Sequence, residues 1–205
     1  MRIEELKPSQ RVQGRWLVVL DDGSILRVGE GEVIDFALFA GKELTEDEAS
    51  HLTAAAHVAG LKHKTLDLLT RKPQSRRELE RKLEEWGAGE EEIECICKRM
   101  EELGLLNDAA YAGQVVRHYE TRGYGVRKLR DELYRRGVPR DLWDEALAEA
   151  EDPAEAIDAF LQKKLASKEP DRKELKKLSD ALARRGYGWE DIRSAIARLG
   201  ICPDE

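Results

Sequence analysis

The side chains whose types and spacing best suit chemistry here are cations, and the chemistry is anion binding. Arg122, Arg127, Lys128, Arg130, Arg135 and Arg136 fall within fifteen residues. Lys173, Lys176, Lys177, Arg184 and Arg185 form a second group. Guanidinium and ammonium groups recurring on one helix face suit phosphates or an acidic protein groove. The competing explanation is a solvated face held by charge pairs one helical turn apart. Recurrence of three cationic offsets in two separate stretches weighs against it. Tyr124 and Tyr134 sit within or beside the first group, where they suit either base stacking or packing at a helix rim.

Other reactive residue types do not assemble into a centre. The sequence lacks a Gly-x-x-x-x-Gly-Lys phosphate loop and a Gly-x-Ser-x-Gly elbow. His51, His57 and His63 are spaced six apart, which spreads them around a helix, and His118 stands alone. Cys95 and Cys97 point to nearly opposite faces of a helical segment, and the C-x-x-C spacing of zinc sites is missing. Three cysteines in all read as reduced, buried thiols rather than a disulfide framework. The expectation is a protein that is not an enzyme and uses no metal or cofactor.

The elements that must position the cations come as a repeat. Leu129, Leu133 and Gly137 share their spacing with Leu79, Leu83 and Gly87 and with Leu178, Leu182 and Gly186, and the glycines are 50 and 49 residues apart. A period of that size means stacked copies of one small unit. Each glycine reads as a helix stop. Downstream, Ile93/Cys97/Met100, Trp143/Leu147/Ala150 and Ile192/Ile196/Leu199 each mark one apolar helix face. Upstream helices carry Leu61, Leu66 and Leu69; Tyr111, Val115 and Tyr119; and Ile157, Phe160, Leu161 and Leu165. The third copy has a longer link at Ser167–Asp171.

On a helical wheel of the middle copy, Val126, Leu129 and Leu133 face the core, with Arg136 near that side at the end. Arg127, Lys128 and Arg135 point away, flanked by Arg130 and Tyr134. The third copy places Lys176, Lys177 and Arg184 at the outward offsets and Arg185 at the position that matches Arg136. The first offers Arg77, Glu78 and Glu85, with Trp86 in place of the final Arg.

Residues 1–60 read differently. Val12, Trp16, Val18 and Leu20 against Ile25, Leu26 and Val28 flank Asp21-Asp22-Gly23-Ser24, a β-hairpin pattern. Val33 and Ile34 fit a further strand pair, while Asp35–Phe39 fit a short helix equally well. Thr45 and Glu48 have capping-box spacing and open a helix through Leu52–His63. Pro73 ends the helix carrying Leu66 and Leu69, and Ser75 with Glu78 forms a second capping box. The fold class is therefore mainly α: three-helix repeats at 61–107, 108–151 and 152–205, preceded by a hairpin-plus-helix segment at 1–60.

The 205 residues are 38% charged and 6% aromatic, with a net charge of −7. No apolar run approaches the ~18 residues of a membrane span, and the N-terminus does not read as a signal peptide. A cytoplasmic, monomeric protein with no membrane partner is expected. Residues 1–60 hold 6 basic and 11 acidic side chains and residues 61–205 hold 29 and 31, so the repeats are near neutral overall and the cations matter by location.

Three stretches carry a family resemblance. Leu68–Leu83 resembles the first repeat of the bacterial RecX regulatory proteins. Leu103–Ala112 resembles that family's junction between its first two repeats. Gly123–Val138 resembles its central repeat, in which Pro commonly stands where this sequence has Tyr124 or Gly125. The resemblance covers about 61–200, and Asp35–Glu48 looks like the longer members of Gram-positive-type bacteria. It implies a negative modulator of the RecA recombinase that lies in the groove of the RecA–DNA filament, bridges subunits and needs no cofactor. Filament growth, ATP hydrolysis, strand exchange and co-protease activity would all be suppressed. The alternatives are a stand-alone DNA-binding protein, against which the net charge counts, and a helical adaptor for another protein.

Overall fold

The structure, a computed structural model, describes residues 1–150, 152–165 and 170–199. It divides into two compact units, one formed by Met1–Pro73 with Leu79–Leu105, the other by Gln74–Glu78 with the described residues from Leu106 on.

The first unit opens with a three-stranded antiparallel sheet: β1 (Ile3–Pro8), β2 (Arg15–Leu20) and β3 (Ile25–Gly29), in that spatial order. The hairpin between β2 and β3 forms as expected, with Trp16 opposite Val28 and Val18 opposite Leu26. Gly23 takes φ 82° in its loop, a conformation that favours glycine. Alternation along β2 sends Val18 and Leu20 inward, where they meet Ile3, Val28, Leu44, Leu52 and Ala56 in one buried cluster. Strand β1 falls outside the expected hairpin. Neither reading left open for 33–39 forms: Val33 and Ile34 belong to a helix, α1 (Glu30–Asp35), and Phe36–Phe39 lie in the turn and loop that follow it.

Helix α2 runs from Glu46 to Arg71 without a break. At its start the Thr45 hydroxyl accepts from the Glu48 N–H at 3.1 Å, and Glu48 accepts from the Thr45 N–H at 2.9 Å. Two apolar stretches expected as separate helices are thus one rod: its first half covers the sheet and its second half serves the first repeat. Gly60 does not interrupt it, because the tertiary contacts on either side outweigh glycine's propensity deficit of about 1 kcal/mol. Helices α3 (Arg76–Glu85) and α4 (Glu90–Glu102) complete that repeat.

The second unit holds α5 (Asp108–Glu120), α6 (Val126–Arg135), a 3-10 turn at Arg140–Leu142 with α7 (Trp143–Ala148), then α8 (Pro153–Leu165), α9 (Arg172–Arg184) and α10 (Trp189–Arg198). The middle and last repeats each have their own core. Tyr111, Val115, Val116, Leu129 and Leu133 anchor the middle one, and Ile157, Leu161, Leu182 and Ile192 the last. The three glycine stops are one structure made three times. Gly87, Gly137 and Gly186 have φ 84°, 70° and 91°. The N–H of the next residue (Ala88, Val138, Tyr187) donates to the carbonyl of Leu83, Leu133 or Leu182 at 3.0, 3.1 and 3.2 Å. That is the Schellman pattern, and it explains why leucine precedes glycine by four.

Several sequence expectations need correction. Val126 is 37% exposed, because as the first residue of α6 it has no preceding turn to cover it. Leu66 is 38% exposed while its neighbour Thr65 takes the buried position. Cys97 is buried, but Cys95 is exposed, as residues two apart on a helix must be when one faces the core. Cys202 and the link at Ser167–Glu169 lie outside the described residues.

Candidate functional site

Within the second unit, the end of one repeat's middle helix caps the start of the preceding one. At the last junction the Gly125 N–H donates to the Arg185 carbonyl at 2.9 Å, and the Arg127 N–H donates to the Gly186 carbonyl at 3.1 Å. The unsatisfied donors that open α6 are thereby matched to the unsatisfied acceptors that close α9, and the two helix dipoles meet with opposite ends. At the earlier junction the Ser75 hydroxyl makes the equivalent bond to the Arg136 carbonyl. Contact is so close that a Cβ on Gly137 would lie 2.6 Å from Arg77 Cβ, and one on Gly186 would lie 2.7 Å from Lys128 Cβ.

These junctions absorb two of the expected binding cations. Arg136 donates through Nη1 to the Tyr111 hydroxyl at 2.7 Å and lies 3.5 Å from the Glu78 carboxylate. Tyr111 in turn donates to Glu78 at 2.7 Å. Arg185 donates to the Gly123 carbonyl at 3.2 Å, and its guanidinium stacks over the Phe160 ring at 4.8 Å. Both are half-buried. Their side chains are committed inside the protein, so the surface proposed for binding narrows to the other nine residues.

A buried carboxylate sorts what is left on α6. Glu132 is 3% exposed and takes Lys128 at 3.4 Å and Arg135 at 2.5 Å. Burial pushes its carboxyl up, but hydrogen bonds from Tyr119 and Arg135 and the Arg135 charge outweigh that and hold it below the usual carboxylate range. Arg127 and Arg130 are exposed on the same helix without an ion pair among the described residues, and Arg122 is exposed in the preceding turn. On α9, Lys173, Lys176, Lys177 and Arg184 are all exposed, again with no ion pair among the described residues. The counterpart face of α3 carries Glu80, Glu84 and Glu85.

The structure therefore brings Arg127, Lys128, Arg130 and Arg135 together on one helix and the four α9 cations on another. Sequence reasoning missed Glu132, although its spacing to Lys128 and Arg135, four and three residues, is the signal of an intrahelical ion pair. It also missed Glu78 and Tyr111 as partners of Arg136. Among the described residues no cluster of three His, Cys, Asp or Glu could hold a metal ion, and no helix is long and apolar enough to cross a membrane.

Family models match the chain in order. The first three-helix domain of RecX matches residues 62–100, the second 107–147 and the third 150–196. Regulatory protein RecX of Pseudomonas entomophila is 38% identical over 129 residues, 62% of this chain and 83% of that protein. Regulatory protein RecX of Levilactobacillus brevis is 29% identical over the whole of this chain and 79% of its own length. A crystal structure of regulatory protein RecX superposes with a TM-score of 0.72 at 25% identity, covering 96% of this chain and 98% of its own. A second, of RecX from Lactobacillus salivarius, gives 0.65 at 24% identity over 72% of this chain and 99% of its own, a likeness of fold. With three ordered domain matches over more than half its length, the chain belongs to the RecX family of regulatory proteins.

Proposed function

We propose that this protein binds in the groove of the RecA–DNA filament and lowers the recombinase, ATPase and co-protease activities of RecA. In doing so it would modulate recombination, repair and the SOS response. It acts in the cytoplasm as a monomer and needs no cofactor. One observation carries the reading beyond family membership: two successive repeats present cations at matching offsets on α6 and α9, and several of those cations have no ion pair among the described residues. A filament offers anionic groups at regular intervals, and two weak basic faces on one chain gain affinity by binding together. The net charge of −7 keeps non-specific attraction to DNA low, which favours a partner that supplies protein contacts as well as phosphates.

The test is the ATPase of a RecA–single-stranded DNA filament from the same host, titrated with sub-stoichiometric protein. Inhibition is expected well below one molecule per RecA subunit. An unchanged rate would sink the proposal.

A further inference from the structure

We propose that Arg127, Arg130 and Tyr134 of α6 form a stripe that holds single-stranded nucleic acid, with the guanidinium groups on phosphates and the Tyr134 ring stacked on a base. Tyr134 is 67% exposed, far more than a packing tyrosine needs. Its ring meets no other ring or cation among the described residues, whereas Tyr119 and Tyr124 pack on each other at 5.7 Å and Tyr111 is held in the Glu78–Arg136 network. At 100° per residue Tyr134 falls between Arg130 and Arg127, and the three span about 10.5 Å of helix axis. Asp131, the exposed carboxylate of this helix, lies on the far side of Arg127 from the ring.

The repeat supplies an internal control. The positions of Arg130 and Tyr134 are Glu80 and Glu84 in the first copy and Ser179 and Ala183 in the third. All three copies form the same helix with the same glycine stop, so the fold does not require the ring. An acidic protein surface would use the two guanidinium groups and leave the phenol idle. A duplex offers phosphates but keeps its base faces stacked. A single strand offers both, and base–aromatic stacking tolerates any sequence. The inference rests on the basic face of α6 being a binding surface, but not on RecA as the partner.

Fluorescence anisotropy of a labelled dT oligonucleotide, with the full chain and no RecA, tests it. Tyr134→Ala is expected to weaken binding by about 5- to 100-fold with an unchanged salt slope and unchanged helicity, while Tyr134→Phe binds like the parent. Arg127→Gln with Arg130→Gln should reduce the salt slope by about 1.4, some 0.7 per phosphate. Duplex binding should ignore the tyrosine change. The stripe is refuted if the parent protein does not bind dT at low salt, if Tyr134→Ala binds it as the parent does, or if the loss is equal on duplex. Filament inhibition with no dT binding would overturn this inference alone, and dT binding with no inhibition would overturn only the filament reading.

Discussion

At the scale of single residues, the Tyr111 hydroxyl shows how polar groups specify the contact between repeats. It donates to Glu78 and accepts from Arg136, both at 2.7 Å. Burial, with the Glu78 carboxylate second, pushes the phenol from 10.0 to about 12. A folded-state value above the unfolded one means that this contribution is fully present below pH 10 and is lost as pH rises from 10.0 towards 12. Tyr111→Phe should cost about 1–3 kcal/mol at neutral pH, since it leaves Glu78 and Arg136 short of a partner, and should flatten the alkaline loss. Urea unfolding at neutral pH and across that alkaline window measures both, and parallel curves for the two proteins would refute it. Glu132 behaves with the opposite sign. Its lowered value gives stability that is present above the ordinary 4.5 and lost as pH falls through the folded-state value. The spacing from Lys128 to Glu132 to Arg135 was legible in the sequence, but the burial of Glu132 was not. A wheel places it between the core and outward arcs, and its surroundings decide the rest.

At the scale of elements, legibility followed local chemistry. Capping boxes at Thr45 and Ser75 and glycine stops at 87, 137 and 186 mark helix ends because the residues that satisfy a helix terminus are its sequence neighbours. Strand β1 was missed because Ile-Glu-Glu-Leu-Lys-Pro has little alternation, and because part of what holds it, the bond from the Ile3 N–H to the Lys42 carbonyl, comes from far along the chain. The junctions were also invisible, since Ser75 to Arg136 and Arg185 to Gly123 span 61 and 62 residues, more than one repeat. They do leave a measurable difference between equivalent glycines. A Cβ on Gly87 would meet nothing within 4 Å, whereas one on Gly186 would meet the Lys128 backbone and Cβ. Gly87→Ala should therefore cost only the left-handed penalty, about 1–2 kcal/mol. Gly186→Ala should cost about 2 kcal/mol or more beyond that, in the range of overpacked sites. Chemical denaturation of both variants makes the comparison, and equal losses would mean the junction yields rather than resists.

For the whole molecule, charge is distributed by repeat rather than by total. A net charge of −7 conceals two cationic helix faces on one unit and a counterpart face on α3 that carries glutamates. The leucines and glycines that all copies share specify the fold, while the basic face appears in two of them and is free to serve binding. The ion pairs decide how that face is to be tested. Reversing Lys128 or Arg135 would set a new carboxylate against buried Glu132 and destabilise α6, so a loss of activity would be ambiguous. Arg127 and Arg130 on α6 and Lys176 and Lys177 on α9 are exposed and carry no ion pair among the described residues, so their reversal should move stability by only about 0.5 kcal/mol. If the two faces act together, reversing either pair to Glu should raise the concentration for half-inhibition of the RecA filament ATPase by about 3- to 10-fold. Reversing all four should raise it about 10- to 100-fold, because avidity multiplies rather than adds the two contributions. Circular dichroism melts on the same samples separate binding from folding. A stable fourfold variant that inhibits like the parent would reduce both faces to ordinary solvated surface. A loss confined to the α6 pair would place binding on the middle repeat alone.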